Sequence, residues 1–450
     1  MPARVGYKPR SLESTQVIAD GFRDTRRSEG EAGGGAVVPL RAPRPVRDCG
    51  DGLGEGRSVS EGPEPAVEKP VEKPSVLVVD AAGVRRAAEA IAPLSELAVD
   101  VEADAMHAFR ARLCFVQLGT GAEVYLLDTL VPQVRIPALA GFFADPGKTK
   151  FFHAAGGDLQ YLASAGVRVK GLFDTHRAAT LLGWPKVGLA DLVLERLGVK
   201  LLKEHQQSDF SIRPLPDAMR AYIADDVRYL VEIGRQVKLA CAAADILEEV
   251  ELDCARMAEE AAARPDMGHE SRPKVPRGGL SHAEVQLGEA ISDALHRKRL
   301  EWAEAANVPM GRMLSNMAVG AIASRPPKDL KELQRREGVR GPWVREHGDE
   351  VLQLISALQE KATRGELPKA QELQKKDSAT RKRVDVLKAW RGDKALARKV
   401  TPSAVLSNPL VDDVAGLPSV TLETLRALQW FGEKRMKLYG AELVTLLGKA

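Results

Sequence analysis

The sequence predicts an α/β domain, a mixed sheet covered by helices, followed by two small all-α domains. Three observations predict it. Short apolar runs of strand length alternate with helical patterns across residues 76–263. A Pro/Gly-containing stretch at 264–280 then breaks the pattern. Beyond it almost everything is helical, in two units that look like weakly similar copies. At 450 residues the chain exceeds one ordinary hydrophobic core, so several domains are expected.

The elements follow in order. Residues 1–75 are rich in Gly, Pro, Arg and Glu, as in GEAGGGAVVP and EGPEPAVEKPVEKP, and cannot bury enough apolar surface to offset their ordering entropy. A disordered tail is expected there. SVLVV reads as a strand and AAGVRRAAEAIAPL as a helix. ELAVDVE, LCFVQLG, EVYLLD and KTKFFHAA read as further strands. DLQYLASAG, DTHRAATLLG and GLADLVLERLG read as helices stopped by Gly166, Gly183 and Gly198. One long helical segment from about Pro216 to Ala263 closes the domain. The first small domain is expected at 281–360, a flexible or partly helical connector at 361–380, and the second small domain at 381–450.

Composition excludes several classes. With 44% hydrophobic and 28% charged residues the chain fits a soluble protein, and it holds no run of 18 apolar residues. No apolar segment near the N-terminus reads as a secretory signal, so a cytoplasmic location is expected. The four cysteines, Cys49, Cys114, Cys241 and Cys254, include no CxxC pair, which argues against a disulfide framework or a cysteine-ligated zinc. There is no GxxxxGK[S/T], HExxH or G-x-S-x-G motif. The net charge of +3 is too small to identify a partner, but residues 381–450 carry 13 Lys/Arg against 7 Asp/Glu. A solvated charged face explains that excess as well as nucleic-acid binding does.

Carboxylates carry the chemical signal. Asp100 and Glu102 lie two apart in the strand LAVDVE, so period-two geometry puts both on one face. Two acids on a sheet face need positive compensation, which a divalent cation supplies; an exposed strand end is the plainer alternative. Asp158 opens the helix after KFFHAA, at the carboxyl end of a strand, where it could serve the helix N-terminus or a ligand. Tyr222 and Asp226 stand four apart in YIADDVRYL, on one helix face, with Asp225 on another as a solvated charge. Hydrolysis of an anionic phosphodiester suits such a set. Two cations about 4 Å apart activate water and neutralise the leaving oxygen, and hard oxygen ligands favour Mg²⁺ or Mn²⁺.

With these residues in place, the sequence resembles the ribonuclease D family of DEDD exonucleases, in its tyrosine-containing branch, with tandem helicase-and-RNase-D C-terminal (HRDC) domains. The acid-x-acid motif falls on Asp100 and Glu102. The second motif falls on His153, Ala154, Asp158 and Leu159, and the third on Tyr222 and Asp226. Lys203, Ser208, Asp209, Arg213, Pro214 and Leu215 also follow the pattern. The resemblance implies a ribonuclease-H-like fold that removes nucleotides from RNA 3′ ends as 5′-monophosphates, typically from tRNA precursors; a monomer is expected. Asp100, Glu102 and Asp226 would hold the hydrolytic metal, Asp100 with Asp158 the second, and Tyr222 would position water. His153 is expected to pack rather than ligate.

The chain departs from the family where Val101 and Ala103 replace the usual threonine and phenylalanine, and where Phe210 replaces tryptophan. Nucleic-acid contacts are expected from Lys203, Arg213, Lys434, Arg435 and Lys437. Two rival functions keep the fold: a DNA-directed 3′-5′ exonuclease, and a non-catalytic nucleic-acid-binding scaffold.

Overall fold

A computed structural model describes residues 74–201, 204–264, 273–370 and 377–448. The expected tail, apart from its last two residues, and Lys203 lie outside the described residues.

Six strands form one mixed sheet: β1 (Ser75–Val78), β2 (Glu96–Ala103), β3 (Leu113–Gly119), β4 (Val124–Asp128), β5 (Thr149–Phe152) and β6 (Leu172–Asp174), in the order β1-β4-β3-β2-β5-β6. The strand β2 is central, antiparallel to β3 and parallel to β5. Among the described residues this domain has a short 3-10 helix (Ile136–Leu139) and the α-helices α1 (Ala81–Ile91), α2 (Ala140–Ala144), α3 (Gly156–Ser164), α4 (Thr175–Leu182), α5 (Leu189–Leu197), α6 (Asp217–Arg228), α7 (Leu230–Ala243) and α8 (Leu247–Ala263). Local chemistry sets their ends. The Asp80 carboxylate accepts from the Gly83 amide at 2.6 Å to start α1, and Gly183 and Gly198 close α4 and α5 in left-handed conformation.

Two elements differ from the sequence expectation. The long segment read as one helix is three, broken at Tyr229 and at Asp245, which takes φ +54°. No Gly or Pro marks either break. The strand β6 was hidden at the head of the DTHRAATLLG helix, because three residues are too few to show a period.

The C-terminal half repeats one plan. The helices α9 (His282–Ala306), α10 (Met310–Met313), α11 (Asn316–Ser324), α12 (Leu330–Gln334) and α13 (Gly341–Thr363) are followed by α14 (Ser378–Arg398), α15 (Pro402–Val405), α16 (Asn408–Ala415), α17 (Leu422–Arg426) and α18 (Glu433–Leu447). Both series run long, one-turn, short, one-turn, long. In each, an arginine of the first helix donates to the carbonyl just after the one-turn helix: Arg299 to Leu314 at 3.0 Å, Arg391 to Leu406 at 2.9 Å. Each series has its own apolar core, one around Leu295, Ile322 and Val351, the other around Leu387, Val411 and Leu443. Ala404 of the second series packs into the core of the α/β domain. Cys114, Cys241 and Cys254 are free and buried. Among the described residues, no helix is long and apolar enough to cross a membrane.

Candidate active site

The site forms where β2 meets α6. Ala98 of β2 faces Gly119 of β3 in the ladder, and a Cβ on Gly119 would come 2.4 Å from the Val227 carbonyl oxygen of α6. That contact fixes which face of the sheet α6 covers. Asp100 and Glu102 share the face of Ala98 by strand alternation, so both lie under α6. The ladder shifts register between Glu102 and Ala103, a bulge at the end of the acid pair. On α6, Ile223, Ala224 and Val227 bury against the sheet, which turns Tyr222 and Asp226 toward the acids.

Carboxylate oxygens of Asp100, Glu102 and Asp226 all lie within 4.8 Å of one another, and all three residues are half-buried. They line a cavity of about 390 Å³ together with Tyr222, His153, Leu189, Ala190, Leu201 and Gln206. Asp158 stands outside this trio. It sits in the first turn of α3 and is tied to the trio by repulsion from Asp100 and Asp226. Every acid is pushed toward its protonated form chiefly by burial, to which acidic neighbours add for Glu102, Asp158 and Asp226. Asp100 rises to about 7 and Glu102 to about 9; Asp158 and Asp226 rise well above the carboxylate range. A group of acids that cannot all ionise alone is suited to a divalent cation, which supplies the missing positive charge.

Tyr222 keeps its hydroxyl proton, its pKa raised by burial and by Asp226, Glu102 and Asp100. Phe210 stacks on its ring at 6.3 Å between centroids and His205 meets it edge-on at 5.9 Å. Phe210 therefore serves as the ring's platform, a role spacing could not reveal. Asp225, expected as a solvated charge, instead lines the cavity and pairs with Arg228 at 2.8 Å.

Asp174 is the residue the sequence reading missed. Its buried carboxylate accepts from the amides of Ala154, Ala155 and Arg177 at 3.1, 2.8 and 3.0 Å. It thereby caps α4 and ties down the turn before α3, where Ala154 takes a left-handed φ of +63°. An Asp before a helical run was the available signal. Asp158, in the first turn of α3, accepts from its own backbone amide, which only partly offsets the burial and neighbouring acids that raise it.

Three of the residues expected to contact nucleic acid are engaged within the protein. Arg213 holds Asp128 at 2.7 Å, donates to the Phe210 and Ile212 carbonyls and lies over the Phe115 ring. Arg435 is fully buried and donates to the Val405 and Phe431 carbonyls. Lys434 pairs with Asp245 at 2.8 Å and Glu249 at 3.1 Å. Protein acceptors thus engage the donors of all three side chains. Lys437 is exposed.

Comparison with known proteins bears on these observations. Residues 76–239 match the 3′-5′ exonuclease family, and residues 288–355 and 381–447 each match the HRDC domain. The ribonuclease D of Gluconacetobacter diazotrophicus is 30% identical over 356 residues, 78% of this chain and 87% of that protein. The chain belongs to the ribonuclease D family. A second ribonuclease D, from Acidiphilium cryptum, is 27% identical over 385 residues, 85% of this chain and 96% of that protein. The crystal structure of Escherichia coli RNase D superposes with a TM-score of 0.59 at 22% identity, covering 83% of this chain and 99% of that one, and shares its fold. As a member of the ribonuclease D family, the chain is a 3′-5′ exoribonuclease.

Proposed function

We propose that the acid cluster is the catalytic centre, with Asp100, Glu102 and Asp226 as the ligands of one divalent cation and Asp100 with Asp158 as those of a second. The observation that carries this reading is the trio of carboxylates within 4.8 Å, all held toward their protonated forms. When bound, Mg²⁺ or Mn²⁺ would activate the attacking water and neutralise charge on the departing 3′ oxygen. Tyr222, protonated and fixed by Phe210, orients that water through its hydroxyl. Leu189, Ala190 and Leu201 form the apolar wall against which a terminal nucleoside rests. Each turnover releases a 5′-monophosphate from the RNA 3′ end, and tRNA precursors are the physiological substrate. In this reading the exonuclease occupies 76–263 and the HRDC domains 281–360 and 381–450, with the tail and connectors before and between them. The enzyme works in the cytoplasm as a monomer.

The test is time-resolved digestion of matched 5′-labelled RNA and DNA with Mg²⁺, Mn²⁺ or EDTA. The expected result is a metal-dependent ladder shortening RNA from its 3′ end, lost by roughly 10³-fold or more in Asp100→Asn and Asp226→Asn while RNA affinity is kept. Cleavage of DNA in preference to RNA would assign the site to DNA. Undiminished turnover in either variant would remove these acids from the reaction.

A further inference from the structure

His153 lines the catalytic cavity but belongs to no metal-binding group among the described residues. Its hydrogen bonds fix where its proton sits. The Thr175 hydroxyl lies 2.9 Å from the Phe152 carbonyl oxygen and 2.9 Å from His153 Nδ1. A carbonyl can only accept, so the one hydroxyl proton goes to Phe152 and the hydroxyl oxygen must accept from the imidazole. Nδ1 therefore carries hydrogen, and Nε2 presents a bare lone pair. Thr175 is fully buried at the start of α4, so this chain is rigid. The His176 ring stands edge-on at 5.5 Å and holds the plane of His153. Among the described residues no hydrogen-bond donor meets Nε2. Burial further favours the neutral ring.

A fixed neutral acceptor in an acid-lined cavity does not suit a phosphate, whose oxygens are themselves acceptors. It suits a hydroxyl. The cavity, about 390 Å³, has the size of a single small-molecule site, and at an RNA 3′ end the hydroxyls it would meet are those of the last ribose. The 2′-OH is the one that DNA lacks. We infer that His153 is the ribose-reading residue of this site, its Nε2 accepting a hydrogen bond from the 2′-OH of the 3′-terminal nucleotide. This rests on the proposed catalytic centre and adds to it the basis of discrimination between RNA and DNA ends.

The experiment compares three 5′-labelled RNA strands identical except at the last sugar, which is ribo, 2′-deoxy or 2′-fluoro. A 2′-fluorine keeps the ribose-like pucker but cannot donate. Wild-type enzyme is expected to cleave the ribo end roughly tenfold faster, in kcat/KM, than either modified end, the scale of one uncharged hydrogen bond. In His153→Phe the ribo-to-deoxy rate ratio is expected to fall from about ten to about one, while Mn²⁺ affinity measured by calorimetry is unchanged. Equal slowing of all three strands would reduce His153 to a packing residue, and loss of Mn²⁺ affinity would make it a ligand; either overturns the inference. So would wild-type cleavage of the 2′-fluoro end at the ribo rate, a result that needs no variant to fold. If wild-type enzyme cleaves none of the strands, the catalytic reading itself fails, before His153 is tested.

Discussion

Acids packed among acids make the stability of this site depend on pH and on cations. In the unfolded chain Asp100 and Glu102 titrate near 3.8 and 4.5; folded, they titrate near 7 and 9. Between those limits the folded state binds more protons than the unfolded one, so stability falls as pH rises. The contribution is whole below about pH 4 and is lost as pH climbs through 7 toward 9. Thermal scans in EDTA are thus expected to show a lower Tm at pH 8.5 than at pH 6, with Mn²⁺ restoring more at the higher pH because fewer protons then compete for the carboxylates. A Tm independent of pH and Mn²⁺ would contradict the cluster. Tyr222→Phe isolates the hydroxyl from the ring: stacking on Phe210 survives, and single-turnover hydrolysis is expected to slow by roughly 10²-fold at unchanged RNA affinity. Spacing alone made Asp100, Glu102, Tyr222 and Asp226 visible, because strand and helix periods predict which side chains share a face. It could not show Asp174 or Phe210, whose partners lie about 20 and 12 positions away in the chain and meet only in the fold.

At the scale of elements, the catalytic geometry is the docking of α6 on β2 and β3. Gly119 is the point of closest approach, and any side chain there must push the Val227 carbonyl away. Gly119→Ala is expected to cost about 1–3 kcal/mol and, by shifting α6, to slow hydrolysis as well, since Tyr222 and Asp226 ride on that helix. Gly141→Ala, with nothing within 4 Å of the added carbon and helical backbone around it, is the control and is expected to leave the rate unchanged and the Tm level or slightly raised. Equal behaviour of the two variants would show that α6 tolerates displacement. The strands and most helices were legible because each carries several periods of its pattern. The breaks in the α6–α8 segment were not, because Asp245 reaches its left-handed conformation without glycine, with Lys434 and Arg398 from a distant part of the chain on its carbonyl and carboxylate.

At the scale of the molecule, the basic C-terminal region turns part of its charge inward. Glu249 of α8, only 1% exposed, is held by Arg398 at 3.3 Å and Lys434 at 3.1 Å, and Arg398 also donates to the Tyr439 hydroxyl at 2.7 Å. Arg256 of α8 reaches Asp413 of α16 at 2.6 Å, and Thr401 donates to the Leu181 carbonyl of α4. Read from sequence, Arg398 and Lys434 only add to a basic excess that a solvated face and nucleic-acid binding explain equally, since charge counts carry no information about which acids lie opposite. The consequence is a latch that joins the second HRDC domain to the exonuclease. Removing Arg398 would leave a buried carboxylate short of one partner, so Arg398→Ala is expected to destabilise by ~3 kcal/mol. Adding Glu249→Gln removes the stranded charge, and the double variant is expected to be more stable than Arg398→Ala alone; a double-mutant cycle by thermal unfolding reads that coupling. Cleavage of a short single-stranded RNA, assayed below the transition, should be unchanged throughout, because none of these residues lines the catalytic cavity. Additive losses with no recovery in the double variant would mean that Arg398 stabilises through Tyr439 and the Asp245 carbonyl rather than through Glu249.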